Sequence, residues 1–276
     1  RARDSQRQAA DLEPALTDAQ GEARTDVLTS LGNRRALAES LERAMQGTDY
    51  VFHAAAYYPT GKKRSLKEHL TVAKKEINNV LTAAHTGGIQ RLIFTSSLST
   101  IGRPDPKDNR LADERDHYQP GTLPDNAYYE VKSILERAVW KAAQKGLDAV
   151  ILNPTAVFGP GDVHLSTGQI LVAVVKGQVL VSPPGMINAV DVRDVAQSHI
   201  AAAQTGQQGE RYILGGHNYA IREFLRITAE IAGARPPYLT IPGWMLDGLR
   251  GLERILPFSL FLRDQLRAYT YWQGYN

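Results

Sequence analysis

Two side chains of this sequence have the types and the spacing that proton transfer requires. Tyr128 and Lys132 are four positions apart, so a helix would place them on one face, one turn apart. A free phenol has a pKa near ~10 and is a poor base at neutral pH, but a neighbouring ammonium favours the phenolate. We therefore expect Lys132 to lower the pKa of Tyr128, which could then exchange a proton with a substrate hydroxyl. A tyrosine and a lysine at this spacing also occur together by chance in many helices.

A serine that could join this pair follows an apolar stretch, I-F-T at residues 93–95, which leads into Ser96 and Ser97. Polar groups at the carboxyl end of a parallel strand face the ligand crevice of an open α/β sheet. We therefore expect Ser97 to hold the substrate oxygen near Tyr128. Serines in this position also cap turns, so a purely structural role stays open for both residues.

A third feature is the segment N-P-T-A-V-F-G-P-G-D at residues 153–162, which leaves an apolar strand and turns at once. Its prolines and glycines predict a rigid loop at the strand end, where a bound ligand would lie. As an isolated turn motif it would carry little information. Its position after the Tyr128 and Lys132 pair gives it weight.

Alternating strand and helix patterns begin at Tyr50 and predict an α/β fold with a parallel sheet. The hydrophobic periodicity and the glycine stop signals define the individual elements. Strands are expected at residues 50–55, 91–96, 148–153 and 211–214, and helices at 66–85, 127–145, 192–205, 221–232 and 244–256.

The composition is that of an ordinary globular protein, with 43% hydrophobic and 22% charged residues among 276. The net charge of +3 and the lack of a basic run argue against nucleic acid as a partner. The chain has no cysteine, which excludes disulfides and cysteine-ligated metals and makes a reducing cytoplasm the expected location. No apolar run reaches the ~18 residues of a membrane span, no signal peptide is visible, and no metal is expected.

Residues 1–48 differ from the rest because they show helical periodicity without strand signals. The pattern D-x-L-T-x-L-x-N-R-R-x-L, from Asp26 to Leu37, resembles the opening helix of GGDEF domains, the diguanylate cyclases. The Gly-Gly-Asp/Glu-Glu-Phe signature of that family occurs nowhere in the chain, so the resemblance does not imply cyclase activity. An amphipathic, solvated helix is the alternative interpretation.

Taken together in order and spacing, the remaining motifs resemble extended short-chain dehydrogenases/reductases of the NAD-dependent epimerase/dehydratase family. The motifs are V-F-H-A-A at 51–55, the T-S-S strand end, Tyr128 with Lys132, the 153–162 loop, N-A-V-D-V-R-D-V-A at 188–196 and E-R-Y-I-L-G-G at 210–216. The resemblance spans about residues 37–272. Dihydroflavonol-reductase-like and hopanoid-associated sugar-epimerase-like enzymes form the most similar subgroup.

This resemblance implies a partial Rossmann-like parallel sheet flanked by helices, with a smaller C-terminal substrate domain. Residues 49–160 would form the dinucleotide-binding part, and residues 161–276 mainly the substrate region, with some elements returning to the Rossmann domain. The reaction would be hydride transfer at a hydroxyl or carbonyl carbon of a small molecule, with NAD or NADP as cofactor. A homodimer is also expected.

Residue by residue, the resemblance makes Ser97, Tyr128 and Lys132 the catalytic triad. The cofactor-binding residues divide into an adenosine side and a nicotinamide side. The adenosine side comprises Ala54, Ala55 and Ala56; the nicotinamide side comprises Thr95, Tyr128, Lys132, Pro154 and Val157. Tyr57 and Tyr58 would border the substrate, while Asp191 and Arg193 could orient it, although a structural role is favoured for that pair.

One family feature is missing, because no G-x-x-G-x-x-G occurs among the 23 glycines of the chain. Those glycines let a pyrophosphate approach the backbone N–H groups of a helix N-terminus. We therefore expect weak cofactor binding, and an edge position for the 50–55 strand. The alternative hypothesis is a catalytically impaired relative that acts as a small-molecule-binding or interaction module.

Overall fold

The computed structural model describes residues 34–55, 57–59, 65–123, 126–163, 165–242, 245 and 273–276. The chain divides into two compact units, one formed by residues 1–51 and 78–90 and the other by residues 52–77 and 91–276. The candidate site lies entirely within the second unit. The helix expected at residues 244–256 falls almost wholly outside the described residues, as do residues 1–33 of the segment that resembles a GGDEF domain.

The elements of the described chain alternate as the sequence predicts. The helices are α1 (Arg34–Met45), α2 (Leu66–Gly87), α3 (Ala127–Gln144), α4 (Gln169–Val175), α5 (Val192–Thr205) and α6 (Ile221–Ala232). The strands are β1 (Tyr50–His53), β2 (Arg91–Thr95), β3 (Ala149–Pro154), β4 (Ala156–Phe158), β5 (Val181–Ser182), β6 (Met186–Asp191), β7 (Arg211–Leu214), β8 (His217–Ala220) and β9 (Leu239–Thr240).

The main sheet has the order β1-β2-β3-β7. Strands β2 and β3 run parallel, as do β3 and β7, and Thr95 pairs with Leu152 at the end of β2. Every residue of β3 is buried, as expected for a parallel strand covered on both faces. The parallel sheet flanked by helices confirms the α/β, Rossmann-like prediction.

Helices cover this sheet with apolar side chains. Val195, Ala202 and Ala203 of α5 join Ile93 and Val150 in one hydrophobic cluster. Helix α3 packs against β3, and its Val131, Leu135 and Val139 are fully buried. The same packing fixes the position of α3, on which Tyr128 and Lys132 lie.

Strand β1 lies at one edge of the described sheet. Its alternate residues Tyr50 and Phe52 are 45% and 47% exposed, so the strand leaves part of its apolar surface in water. The edge position expected from the sequence is therefore what the structure shows. Exposed apolar edges of this kind favour pairing with another strand.

Residues 34–51 and 78–90, which are the described part of the first unit, hold together through a close contact between α1 and the end of α2. A Cβ added at Gly87 would lie 2.9 Å from the Cβ of Met45, so only glycine permits this approach. Met45, Ala83 and Ala84 are buried there. Helix α1 lies in the last part of the segment 1–48; the helical pattern before Arg34 falls outside the described residues.

Two smaller sheets follow in the C-terminal half. Strand β6 pairs in parallel with β4 and antiparallel with β8, and β5 pairs in parallel with β9. Asp191 caps α5 by accepting the Arg193 N–H at 2.8 Å, and its carboxylate also pairs with the Arg193 side chain. Both residues therefore serve the structural role that the sequence favours.

Candidate active site

Tyr128 and Ser97 meet at the carboxyl end of β2. The Tyr128 phenol donates a hydrogen bond to Ser97 Oγ across 3.0 Å. Tyr128 lies in the first turn of α3, and Ser97 is the buried N-cap of a 3₁₀ turn, Leu98–Thr100. Ser97 therefore has the capping role that its sequence left open and also contacts the phenol, while its role toward a substrate oxygen stays a prediction.

The hydrogen bonds of Ser97 leave its proton for another partner. Its Oγ accepts the Tyr128 hydroxyl at 3.0 Å and the Ser99 N–H at 3.2 Å. A serine hydroxyl has two acceptor positions and one donor, so both acceptor positions are engaged. The Ser97 O–H is thus the group that can donate to a substrate oxygen.

Lys132 lies one turn after Tyr128 on α3 and is buried. Its Nζ is 3.5 Å from the carbonyl oxygens of both Thr95 and Ser96, which are the last residues before Ser97. Burial lowers the pKa of Lys132 to about 8, although the carboxylate of Glu136 works in the opposite direction. The tyrosine, the serine and the lysine therefore share one region at the end of β2.

The expected acidification of Tyr128 by Lys132 is wrong in this structure. The pKa of Tyr128 is raised to about 12, mainly by burial, and the neighbouring Tyr58 acts in the same direction. Contacts with Ser97 and Ser99 lower it, but by less than burial raises it, and Lys132 is not a source of the shift. The physical reason is that desolvation of the buried phenol disfavours its charged phenolate form.

Thr95, the first residue predicted for the nicotinamide side, ends β2. Its Oγ1 lies 2.8 Å from His199 Nε2, while His199 Nδ1 lies 2.7 Å from the Val195 carbonyl. A carbonyl can only accept, so the neutral His199 ring carries its proton on Nδ1 and Thr95 donates to Nε2. This hydrogen bond fixes the orientation of the Thr95 hydroxyl beside the candidate site.

The other predicted cofactor residues have contrasting environments. Pro154 is buried at the end of β3, and Val157 packs partly buried against the hydrophobic cluster of the main sheet. Ala54 and Ala55, which follow β1, are exposed, and Ala56 lies outside the described residues. The structure thus brings Ser97, Tyr128 and Lys132 together, whereas Ala54 and Ala55 are exposed.

Tyr58, predicted to border the substrate, lies beside the candidate triad. Its ring centre is 5.1 Å from that of Tyr128, and its side chain is 60% exposed. The neighbouring Tyr57 hydroxyl instead contacts buried His69 Nδ1 at 2.8 Å. Tyr58 is therefore the residue of this pair that a ligand approaching the Tyr128 hydroxyl would meet.

One group of residues near the site was missed by the sequence reasoning. Glu136, Arg211 and Asn153 form a buried polar network behind Ser96 and Thr100. The sequence predicts Asn153 as the start of a loop, whereas the structure places it in β3, and Ala156–Phe158 of the same segment form β4. A signal for Glu136 was present, because it follows Lys132 by four residues on the same helix face.

These residues fit one half of a nicotinamide dinucleotide. Ser99 Oγ is buried beside Tyr128 and makes no close hydrogen bond within the described part of the chain apart from its contact with that phenol, so it is a further polar group of this site. The hydroxyl and amine groups at the end of β2 suit a nicotinamide ribose. A glycine-rich cradle for the pyrophosphate is missing from the sequence, so the residues present do not fit that half.

Comparisons with known proteins agree with this arrangement. The model of the 3-beta hydroxysteroid dehydrogenase/isomerase family matches residues 35–224. A candidate dihydroflavonol 4-reductase of Synechocystis sp. is 34% identical over 212 residues, which are 74% of this chain and 60% of that protein. The chain thus spans less than two thirds of that relative.

Solved structures show the same fold. The crystal structure of gox2253 superimposes with a TM-score of 0.70 at 28% identity, over 79% of this chain and 65% of that one. A UDP-glucose 4-epimerase from Thermus thermophilus, solved in complex with NAD, gives a TM-score of 0.55 at 22% identity, over 88% of this chain and 89% of its own.

The fold and the family match define the class: this is an extended short-chain dehydrogenase/reductase. Within that class, the chain belongs to the 3-beta hydroxysteroid dehydrogenase/isomerase family. That family places it among NAD(P)-dependent reductases and epimerases. In the described part of the chain, no helix is both long enough and apolar enough to span a membrane.

Proposed function

We propose that this chain is an NAD(P)-dependent oxidoreductase or epimerase that acts at a hydroxyl- or carbonyl-bearing carbon, with Tyr128 as the acid–base residue. The observation that carries the proposal is the 3.0 Å hydrogen bond between the Tyr128 phenol and Ser97 Oγ, beside Lys132 at the carboxyl end of β2. Ligands of open α/β sheets bind at this end of the strands.

With a pKa of about 12, Tyr128 carries the proton that a general acid must donate. At neutral pH the group is protonated, so it can deliver its proton to the oxygen of a carbonyl substrate. A bound nicotinamide would supply the hydride to the carbonyl carbon. Ser97 would donate its O–H to the same oxygen, and this hydrogen bond strengthens as negative charge develops there.

Lys132 would hold the nicotinamide ribose and stabilise the negative charge left on Tyr128. Its pKa of about 8 means that the ammonium is present at neutral pH and is lost as the pH rises past that value. Carbonyl reduction should therefore slow above about pH 8 if the ammonium is required. Thr95, Pro154 and Val157 would flank the nicotinamide, and Ala54 and Ala55 the adenosine.

The substrate in this proposal is a small molecule that carries a hydroxyl or carbonyl group, such as a flavonoid-like ketone, a sterol or a sugar nucleotide. The names of the matched family and of the similar reductase and epimerase support this range. Residues 49–160 would form the cofactor part and residues 161–276 mainly the substrate part. The exposed ring of Tyr58 would meet the substrate beside Tyr128.

The test is reduction of a panel of keto-compounds with millimolar NADPH, and oxidation of the corresponding hydroxy-compounds with millimolar NADP⁺, by the parent chain and by Tyr128→Phe. Loss of the phenol should reduce turnover about 10²- to 10⁴-fold, the usual contribution of a general acid, with little change in thermal stability. Tyr129→Phe is the matched control, since its ring packs against Tyr118 and not against Ser97. Turnover retained by Tyr128→Phe would remove Tyr128 from the mechanism.

A second candidate is a module that binds a small molecule without turning it over. The absence of G-x-x-G-x-x-G from the sequence favours it, because affinity for the pyrophosphate depends on that motif. This candidate predicts no turnover with any member of the panel at millimolar cofactor. Turnover by the parent chain above that of Tyr128→Phe would exclude it.

A further inference from the structure

Helix α3 carries a third functional side chain in line with Tyr128 and Lys132. Glu136 follows Lys132 by four residues, so the three side chains lie one above the other along the helix. Glu136 is 6% exposed. A buried carboxylate is costly unless it is fully hydrogen-bonded, so Glu136 needs partners for both of its oxygens.

Both oxygens of Glu136 are engaged. Oε2 accepts hydrogen bonds from Ser96 Oγ at 2.5 Å, Thr100 Oγ1 at 2.5 Å and Asn153 Nδ2 at 2.7 Å. Oε1 accepts a hydrogen bond from Arg211 Nη1 at 2.8 Å, in an ion pair that is buried on both sides. These bonds satisfy the carboxylate with groups from four different elements or turns.

The partners of Glu136 enclose Ser97 in the sequence and in space. Ser96 immediately precedes it, and Thr100 ends the 3₁₀ turn that Ser97 caps. Asn153 Nδ2 also contacts the Ser97 carbonyl oxygen at 3.1 Å. The carboxylate therefore fixes the backbone on both sides of Ser97, while Tyr128 contacts the Ser97 hydroxyl.

The charge of Glu136 also acts on Lys132. Its carboxylate favours the ammonium and opposes the effect of burial on the pKa of that lysine. Arg211 is held by further acceptors, the carbonyl oxygens of Glu114 and Asp116. Buried ion pairs rarely add net stability over apolar packing, so stability is a weak reason for this pair.

We propose that Glu136 is a positioning residue of the candidate active site, which holds the Ser97 turn in place through Ser96, Thr100 and Asn153 and places its carboxylate one helical turn from Lys132. The catalytic meaning of this role rests on the proposed function. The positioning itself is a property of the folded chain and can be measured without turnover.

The test compares Glu136→Gln with the parent chain and with Glu130→Gln. Glu130 is a matched control, because it is 4% exposed on the same helix but accepts its hydrogen bonds from Tyr118 and Gly121. Two quantities are measured by NMR. One is the titration midpoint of the Lys132 side chain, and the other is amide exchange at Thr100 and Ile101, whose N–H groups close the Ser97 turn.

In Glu136→Gln the Lys132 midpoint should fall below that of the parent chain, because the favourable negative charge is gone. Exchange at Thr100 and Ile101 should accelerate about tenfold or more relative to the core amide of Ile151, since the turn opens locally. Glu130→Gln should change neither quantity. An unchanged midpoint together with unchanged exchange in Glu136→Gln would overturn the proposal and leave an ordinary buried ion pair.

If Glu136→Gln does not fold, Ser96→Ala tests the same proposal, because the Ser96 hydroxyl donates to Glu136 Oε2 at 2.5 Å. This variant removes one donor to Oε2 and keeps the charge, so exchange at Ile101 should accelerate while the Lys132 midpoint stays in place. Unchanged exchange there would contradict the proposal. Failure of the proposed function is separate, because a parent chain without NADPH turnover would still show the midpoint and exchange effects if Glu136 positions this turn.

Discussion

The residues that follow strands β1 and β2 differ in polarity and in burial, although the two strands are neighbours in one sheet. After β2, residues 96, 97, 99 and 100 are buried hydroxyl residues, and the buried side chains of Lys132 and Glu136 contact this segment. After β1, Ala54 and Ala55 are exposed and carry no polar side-chain atom. The predicted nicotinamide side is thus a buried polar site, whereas Ala54 and Ala55 of the predicted adenosine side are exposed and apolar.

This difference teaches that reactivity and affinity are separate properties of a dehydrogenase fold. Proton transfer needs a few groups held rigidly at one strand end, and the hydrogen bonds around Ser97 supply that. Tight binding of a dinucleotide needs, in addition, backbone N–H groups that approach the pyrophosphate. This chain has the groups for proton transfer but lacks the glycine pattern that brings backbone N–H groups to a pyrophosphate.

The largest effect is expected where the polar site is most deeply buried. Arg211→Met leaves Glu136 without its ionic partner, so the free energy of unfolding should fall by about 3–5 kcal/mol. Urea unfolding followed by circular dichroism measures this. Arg226→Met is the matched control, because its partner Glu230 is 59% exposed and the loss should stay below about 0.5 kcal/mol. If the free energy of unfolding fell equally in the two variants, the buried Arg211–Glu136 pair would contribute no more to stability than an exposed pair.

An intermediate effect is expected from Lys132→Met, with a sign that depends on pH. The unfolded lysine keeps its proton up to about its ordinary pKa of 10.5, but the folded one loses it near 8. Between these values the unfolded chain binds more protons, so the stability of the parent chain should rise with pH there. The variant should lack this rise and should be more stable at pH 7 by roughly 1–3 kcal/mol.

Urea midpoints of the two chains at pH 7 and pH 9.5 decide this prediction. The difference between the chains isolates Lys132 from the other titrating groups. Turnover should be lost in Lys132→Met at both pH values, since the ammonium is gone. If Lys132→Met were less stable than the parent chain at pH 7, the prediction that the buried Lys132 ammonium destabilises the folded chain would be wrong.

The smallest effect is expected on the adenosine side. Ala55→Leu should change NADPH affinity less than about threefold, because contacts there contribute little to binding without a pyrophosphate cradle. Ala156→Leu makes the same change beside Pro154 and Val157 and should weaken binding more. Fluorescence titration of NADPH measures both. If Ala55→Leu lowered the affinity for NADPH more than Ala156→Leu, the predicted adenosine side would contribute more to binding than the predicted nicotinamide side, and the prediction would be wrong.

Much of the main sheet and its helices could be predicted from the sequence, because period-2 and period-3.6 patterns and the glycines at helix ends are local signals. The grouping of Tyr128, Lys132 and Ser97 followed from motif spacing and from the rule for strand ends. The pKa of Tyr128 could not be predicted, because its direction depends on burial, which is set by distant elements.

The hydrogen-bond network of Glu136 could not be predicted from the sequence either, because it also depends on elements that are distant along the chain. Its partners Ser96, Asn153 and Arg211 come from three separate strands or strand ends, and only the folded sheet brings them to one carboxylate. A close reading of α3 could have shown Glu136 on the face of Tyr128 and Lys132. Its partners could not have been named.

The most direct test of the contrast between the two sides is the affinity of the chain for NADPH compared with reduced nicotinamide mononucleotide, which lacks the adenosine half. If the site binds mainly the nicotinamide ribose, the two dissociation constants should both be weak and agree within about tenfold, a difference of about 1.4 kcal/mol. Low-micromolar binding of NADPH together with undetectable binding of the mononucleotide would contradict the account, because the adenosine side would then provide most of the affinity.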